Sequence, residues 1–242
     1  QQAHLKAYPK RKREGEPHRN LRPHLKRERL IMAKTKAETI VYPVHNGLYV
    51  NLTNRCTNRC DFCIRNNGDG VYGSDPLWLA HEPSAAEVLA SVAAQDVARY
   101  DEFVFCGYGE PTVRLETLVE VGRALKAQYG KPVRLNTNGQ ANLIHKRNVA
   151  PLLTGAVDIV SISMNAATAE KYQAVCHSVF GTAAYDGILE FARCCVPCVQ
   201  QVVFTVVETT LPDEDVGLCR RTAESIGASF RVRKLDTGTE TR

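Results

Sequence analysis

The 242-residue chain contains no run of 18 apolar residues, which predicts no membrane-spanning helix. Its charged N-terminus has no apolar h-region, so no secretory leader is expected. The seven histidines include no H-x-x-x-H or H-E-x-x-H pair, which leaves a hydrolytic zinc helix unsupported, and no Walker-type phosphate loop is present. The cysteine count, nine, is odd, whereas the disulfide framework of a small secreted protein needs pairs. A reducing cytoplasm is the expected location.

A broadly basic surface is also missing, although the net charge is +5. Residues 1–30 hold ten Lys/Arg against three Glu, while the remaining 212 hold 21 Lys/Arg against 23 Asp/Glu. The positive charge therefore sits in one segment, and the pI of 8.7 does not argue for a general nucleic-acid binder. Residues 1–40, with Lys-Arg-Lys-Arg at 10–13, read as a basic, flexible arm too poor in apolar residues to build a core. Within it Met32 reads as a native start. Nucleic-acid contact through this arm stays open but is not expected. Residues 41–238 form the expected folded domain, and 239–242 a tail.

What is present is a cluster of thiols. Cys56, Cys60 and Cys63 stand in N-R-C-T-N-R-C-D-F-C (54–63), a C-x3-C-x2-C spacing on loop-forming residues. Three thiolates on one short loop can converge on a metal. An iron-sulfur cluster ordinarily takes four, so three would leave one iron open. A tetrahedral zinc site would need a fourth ligand, and Cys194, Cys195 and Cys198 are spaced irregularly for that purpose.

Around this loop, strand and helix patterns alternate. Strands are predicted at Gly47–Thr53, Phe103–Phe105, Val133–Asn136, Val157–Met164, Val202–Val207 and Phe230–Lys234, separated by helical segments. One helix starts at the Ser84–Glu87 capping box, and another is expected over Ile144–Leu153. Six βα-type units imply a parallel α/β sheet, whose chemistry collects at the carboxyl ends of its strands. The conspicuous polar stretches fall there: Gly107-Tyr108-Gly109-Glu110-Pro111, Asn136-Thr137-Asn138-Gly139, and Ser161 to Asn165. Alternation puts Ser161, Ser163 and Asn165 on one inward face, where polar groups need partners. Residues 64–83, around Trp78, read as a lid or insertion near the site.

The C-x3-C-D-F-C loop followed by G-x-G-E-P resembles the radical S-adenosylmethionine (radical SAM) superfamily, over about Gly47 to Asp236. The blocks F-C-G-Y-G-E-P-T, R-L-N-T-N-G and S-I-S-M-N-A further resemble the small TatD-associated radical SAM proteins. The resemblance implies a partial (β/α)6 TIM-like barrel in which Cys56, Cys60 and Cys63 bind three irons of a [4Fe-4S] cluster. S-adenosylmethionine would chelate the fourth. Phe62 matches the aromatic position near the adenine, and Gly107, Tyr108, Gly109 and Glu110 match the loop that receives the methionine amino group. Tyr108 departs from the commoner G-G-E-P form. Asn138, Ser163 and Asn165 match positions that hold the ribose or carboxylate. The implied reaction is reductive cleavage of S-adenosylmethionine to methionine and a 5′-deoxyadenosyl radical that abstracts hydrogen from an unidentified substrate. Flavodoxin or ferredoxin is implied as electron donor. The alternative is a non-enzymatic iron-sulfur or zinc protein that senses redox state or docks partners.

Overall fold

Strict alternation in V-R-L-N-T and S-F-R-V-R gives each strand one apolar and one polar face. In the computed structural model, which describes residues 39–208 and 210–235, these segments join a seven-stranded sheet in chain order. Its strands are β1 (Val41–Val44), β2 (Gly47–Val50), β3 (Glu102–Phe105), β4 (Val133–Thr137), β5 (Ile159–Ser163), β6 (Gln201–Val207) and β7 (Ser229–Arg233). From β2 to β7 all pairings are parallel. Helix α1 (Ala85–Ala93) follows β2, α2 (Leu115–Tyr129) follows β3, and α3 (Ala141–His145) follows β4. Both α4 (Ala169–Cys176) and α5 (Ala183–Cys195) follow β5, and α6 (Asp213–Ile226) follows β6. The expected arm over 1–40, its Met32 start and the tail at 239–242 fall, apart from Thr39 and Ile40, outside the described residues.

The apolar faces meet the helices. Leu48, Phe103, Phe105, Leu135, Val160, Ile162 and Phe204 are wholly buried in one core with Val88 and Val92 of α1, Leu118 and Leu125 of α2, and Ile188 and Phe191 of α5. Each such side chain contributes roughly 1.5–3 kcal/mol by leaving water. The opposite faces point inward: Arg134 is in register with Val104 and Ile159, and Asn136 with Ser161. Edge strands β1 and β7 do not pair with each other among the described residues, yet both line one cavity with the strands between them. The sheet therefore curls into a partial barrel.

The six expected strands are parallel but are not the whole sheet, because β1 hairpins back antiparallel onto β2 through His45 and Asn46. Pro43 hides this strand in the sequence, but proline is tolerated at a sheet edge, where a missing N–H breaks no central ladder. Nor is Ile144–Leu153 one helix. Helix α3 stops at Lys146, which takes a left-handed φ of 53°, and a separate 3-10 turn with Pro151 in its first positions covers Ala150–Leu153. The capping box is present as expected: Glu87 N–H donates to Ser84 Oγ and Ser84 N–H to Glu87 Oε2.

Candidate cofactor site

The chain leaves β2 through Asn51 and Thr53 into the cysteine loop, which settles on the end of α4. The last carbonyls of a helix have no partner within it, and here Arg59 N–H donates to Cys176 O (3.0 Å) and Asp61 N–H to Val175 O (3.1 Å). The loop's first residues are pinned from the other side. Asn54 exchanges two hydrogen bonds with Leu79, and Arg55 pairs with Glu82 at 2.6 Å. Residues 77–82 thus brace the loop, which gives the irregular 64–83 segment a definite role.

Beneath the loop lies a buried polar network. Asn58, between two of the cysteines, donates to Tyr172 Oη (2.8 Å) and accepts from Gln140 Nε2 (2.8 Å). Gln140 Nε2 also donates to Tyr172 Oη (2.9 Å), while Gln140 Oε1 accepts from Thr57 (2.7 Å) and Ser178 (3.1 Å). Such bonds contribute about 1 kcal/mol each, but removing a buried partner costs about 1–3 kcal/mol.

The G-Y-G-E-P loop packs directly on this segment. A Cβ at Gly109 would lie 2.3 Å from Thr53 O and 2.6 Å from Arg55 O, and one at Gly107 would meet Asn51 Oδ1 at 2.1 Å. Only glycine permits that approach. Tyr108, 3% exposed, donates its hydroxyl to Gly68 O (2.7 Å) and meets Trp78 edge-on at 4.9 Å. Glu110 turns away from the cavity. Its carboxylate accepts from Thr112 N–H and Oγ1, Thr137 Oγ1 and Asn138 N–H. Burial raises this carboxyl above its ordinary range against the pull of those four donors.

One cavity of about 350 Å³ gathers nearly all the sequence-predicted residues: Cys56, Cys60, Phe62, Cys63, Gly107, Tyr108, Asn138, Ser163 and Asn165. Gly109 and Glu110 do not line it. Asn138 reaches it, but its amide is committed to Thr57 Oγ1 (2.9 Å) and to Gln140 N–H (3.0 Å). The thiols as placed do not converge. Cys60 Sγ lies 3.9 Å from Cys176 O, Cys56 Sγ accepts from Asn58 N–H at 3.4 Å, and no three His, Cys, Asp or Glu side chains stand at metal-binding distance among the described residues. Burial, reinforced by Glu110, raises the Cys56 thiol to about 11, and the Cys176 contact with burial raises Cys60 further. Neutral thiols have no reason to crowd together, and staggered rotamers about Cα–Cβ can redirect each sulfur without moving the backbone. Positive charge at a bound metal would favour the thiolates.

The cavity also has the polar character a cofactor needs. Asn136 Oδ1 and Asn165 Oδ1 are buried acceptors with no partner, and both residues line it. Buried polar atoms are ordinarily satisfied, so two orphaned acceptors at adjacent strand ends fit a ligand bearing amine or hydroxyl donors. Asn165 is held there with a left-handed φ of 57°, which asparagine tolerates better than most residues.

Sequence reasoning missed the Asn58–Gln140–Tyr172 network, whose members lie up to 114 residues apart. It also missed Arg134, Arg231 and Arg233, which line the same cavity. Strand phase carried that signal: Arg134 shares the alternation of Asn136, and Arg231 that of Arg233.

Comparison with known proteins agrees with this geometry. The Radical SAM superfamily profile matches residues 50–217, and the chain belongs to that superfamily of enzymes, whose cofactors are a [4Fe-4S] cluster and S-adenosylmethionine. Among curated relatives, GTP 3',8-cyclase of Lactiplantibacillus plantarum is 27% identical over 146 residues, 60% of this chain and 41% of that protein. The Corynebacterium glutamicum GTP 3',8-cyclase is 32% identical over 135 residues, 53% of this chain and 33% of that protein. The chain spans less than half the length of either. Among solved structures, a radical SAM methyltransferase from Sphaerobacter thermophilus aligns with a TM-score of 0.57 and 16% identity, covering 80% of this chain and 68% of that one. Streptococcus suis SuiB bound to S-adenosylmethionine aligns at 0.56 and 14%, covering 96% and 48%. At such identities the likeness concerns the fold. No helix among the described residues is long and apolar enough to cross a membrane.

Proposed function

We propose that this chain is a radical SAM enzyme whose Cys56, Cys60 and Cys63 hold three irons of the cluster, with S-adenosylmethionine along the strand ends of the same cavity. The observation that carries this reading is the meeting of all three cysteines with the orphaned carbonyls of Asn136 and Asn165 in one cavity. Bound there, the cofactors supply reductive cleavage of S-adenosylmethionine to methionine and a 5′-deoxyadenosyl radical for hydrogen abstraction from a substrate.

The chain's own residues bind, orient and exclude water. Gly107 brings backbone groups to the methionine end, Gly109 seats that loop against Thr53 and Arg55, and Phe62 packs beside the adenine. Ser163 and Asn165, with Asn136, accept from ribose hydroxyls or the amine, while Asn138 holds Thr57 and so the cysteine loop. Glu110 ties the G-Y-G-E-P loop to the end of β4. Tyr108 walls the substrate side, with Trp78 packed edge-on against it. We assign the electron donor to the flavodoxin or ferredoxin class. The finer likeness to the TatD-associated group rests on the three sequence blocks alone.

The test is anaerobic reconstitution, reduction with dithionite, and mass spectrometry for 5′-deoxyadenosine. Its formation in the native protein and its loss after Cys56→Ala, Cys60→Ala and Cys63→Ala together is the expected result. An intact cluster that never cleaves S-adenosylmethionine would favour a redox sensor instead.

A further inference from the structure

The inward faces of β4 and β7 are cationic, which nothing in the cofactor assignment uses. Arg134, Arg231 and Arg233 line the cavity that reaches the cysteine loop, and no Asp or Glu is among its lining residues. All three also line an adjoining space of about 800 Å³ at the amino ends of the strands, where Asp101 and Glu102 are the carboxylates. Small barrels ordinarily fill their interiors with packed side chains, and an enclosed guanidinium is costly unless its N–H groups find acceptors.

Arg134 is only partly satisfied. One terminal nitrogen pairs with Glu102, its side chain is 16% exposed, and its Nε is buried with no partner. Two of these guanidinium groups act on the same spot. Burial raises the Cys106 thiol at the end of β3, and Asn136, Arg233 and Arg134 act against that rise. A cleft lined by one sign of charge concentrates ligands of the opposite sign. Arginine's planar fork suits carboxylate and phosphate better than a point charge would.

We propose that the substrate carries an anionic group, a phosphate or a carboxylate, which Arg134 and Arg231 hold inside the partial barrel. This deepens the radical SAM reading and rests on it: the anion anchors the substrate in the same cavity that the cysteine loop and Gly107 line. The carboxylate of S-adenosylmethionine is the competing source of the same chemistry.

The experiment follows inorganic phosphate by 31P NMR in the anaerobically reconstituted protein at fixed ionic strength, with succinate as competitor. Arg231→Gln and Arg134→Gln should each weaken binding about tenfold or more, the loss of a charge-assisted pair. Exposed Arg99→Gln, which removes the same charge elsewhere, should leave it within about twofold of native. Displacement by succinate identifies a carboxylate site, and its failure a phosphate site. Arg231 is exposed to the cavity, so its variant stays informative if loss of the Arg134–Glu102 pair impairs folding. S-adenosylmethionine affinity, measured in the same samples by equilibrium dialysis, should stay unchanged. Absence of binding by either anion, equal weakening by Arg99→Gln, or variants that weaken S-adenosylmethionine and spare phosphate would each overturn the proposal. Iron content and 5′-deoxyadenosine formation in those samples report separately on the radical SAM reading.

Discussion

Replacing Tyr172 with Phe tests whether the buried network holds the cysteine loop. The Tyr172 hydroxyl accepts from both Asn58 Nδ2 and Gln140 Nε2, and the residue is wholly buried. Tyr172→Phe keeps the ring and its contact with Tyr185 at 6.2 Å, but strands two amide donors where water cannot follow. Two such groups cost about 2–6 kcal/mol, which for a domain of this size lowers Tm by roughly 4–24 °C. Tyr185→Phe is the matched control, because that hydroxyl makes one bond, to Ala167 O at 3.0 Å. Its loss should cost about 1 kcal/mol, or roughly 2–4 °C. Differential scanning calorimetry gives the stability arm, and iron retained after anaerobic desalting gives the functional arm. Only Tyr172→Phe should lose iron, since Asn58 sits between Cys56 and Cys60. Equal Tm losses, or full iron retention in Tyr172→Phe, would refute the reasoning.

Gly109→Ala places a methyl group against two backbone carbonyls at 2.3 and 2.6 Å. The cysteine loop must then shift, so S-adenosylmethionine affinity by equilibrium dialysis should fall about tenfold or more while the overall fold by circular dichroism persists. At acid pH the cap of α1 should loosen. Hydrogen bonds from the Ser84 side chain and backbone, with His81 beside it, lower the Glu87 carboxyl to about 2. A depressed carboxylate contributes stability above its unfolded value and loses it as pH falls toward the folded one. The slope of Tm against pH between about 4.5 and 2 should therefore flatten in Glu87→Gln; an unchanged slope would remove Glu87 from the acid response.

What could be read from sequence followed local periodicity. Strands β3 to β6 and the capping box of α1 were visible because hydrophobic phase and capping chemistry are short-range signals. The cysteine spacing and G-Y-G-E-P loop were visible because each is contiguous. Strand β1 was masked by Pro43, whose tolerance depends on a sheet edge that only the assembled sheet defines. The split of Ile144–Leu153 turned on Lys146 adopting φ 53°, a conformation its own side chain does not announce. Glu110 was matched to the loop that receives the methionine amino group, whereas its four donors come from Thr112, Thr137 and Asn138, and two of those residues belong to the next βα unit. The arginines of β4 and β7 were legible in phase, but their convergence depends on the curl that brings β7 round to the cavity.

The most direct test of the central claim, that one loop's three thiolates hold a cluster with one iron left for S-adenosylmethionine, is iron content with low-temperature EPR of the dithionite-reduced protein. The account predicts about four irons per chain and an EPR signal that changes when S-adenosylmethionine is added. It also predicts loss of iron and signal in the triple Cys56→Ala, Cys60→Ala, Cys63→Ala variant. An iron signal that persists in that variant, or one indifferent to S-adenosylmethionine in the native protein, would contradict it.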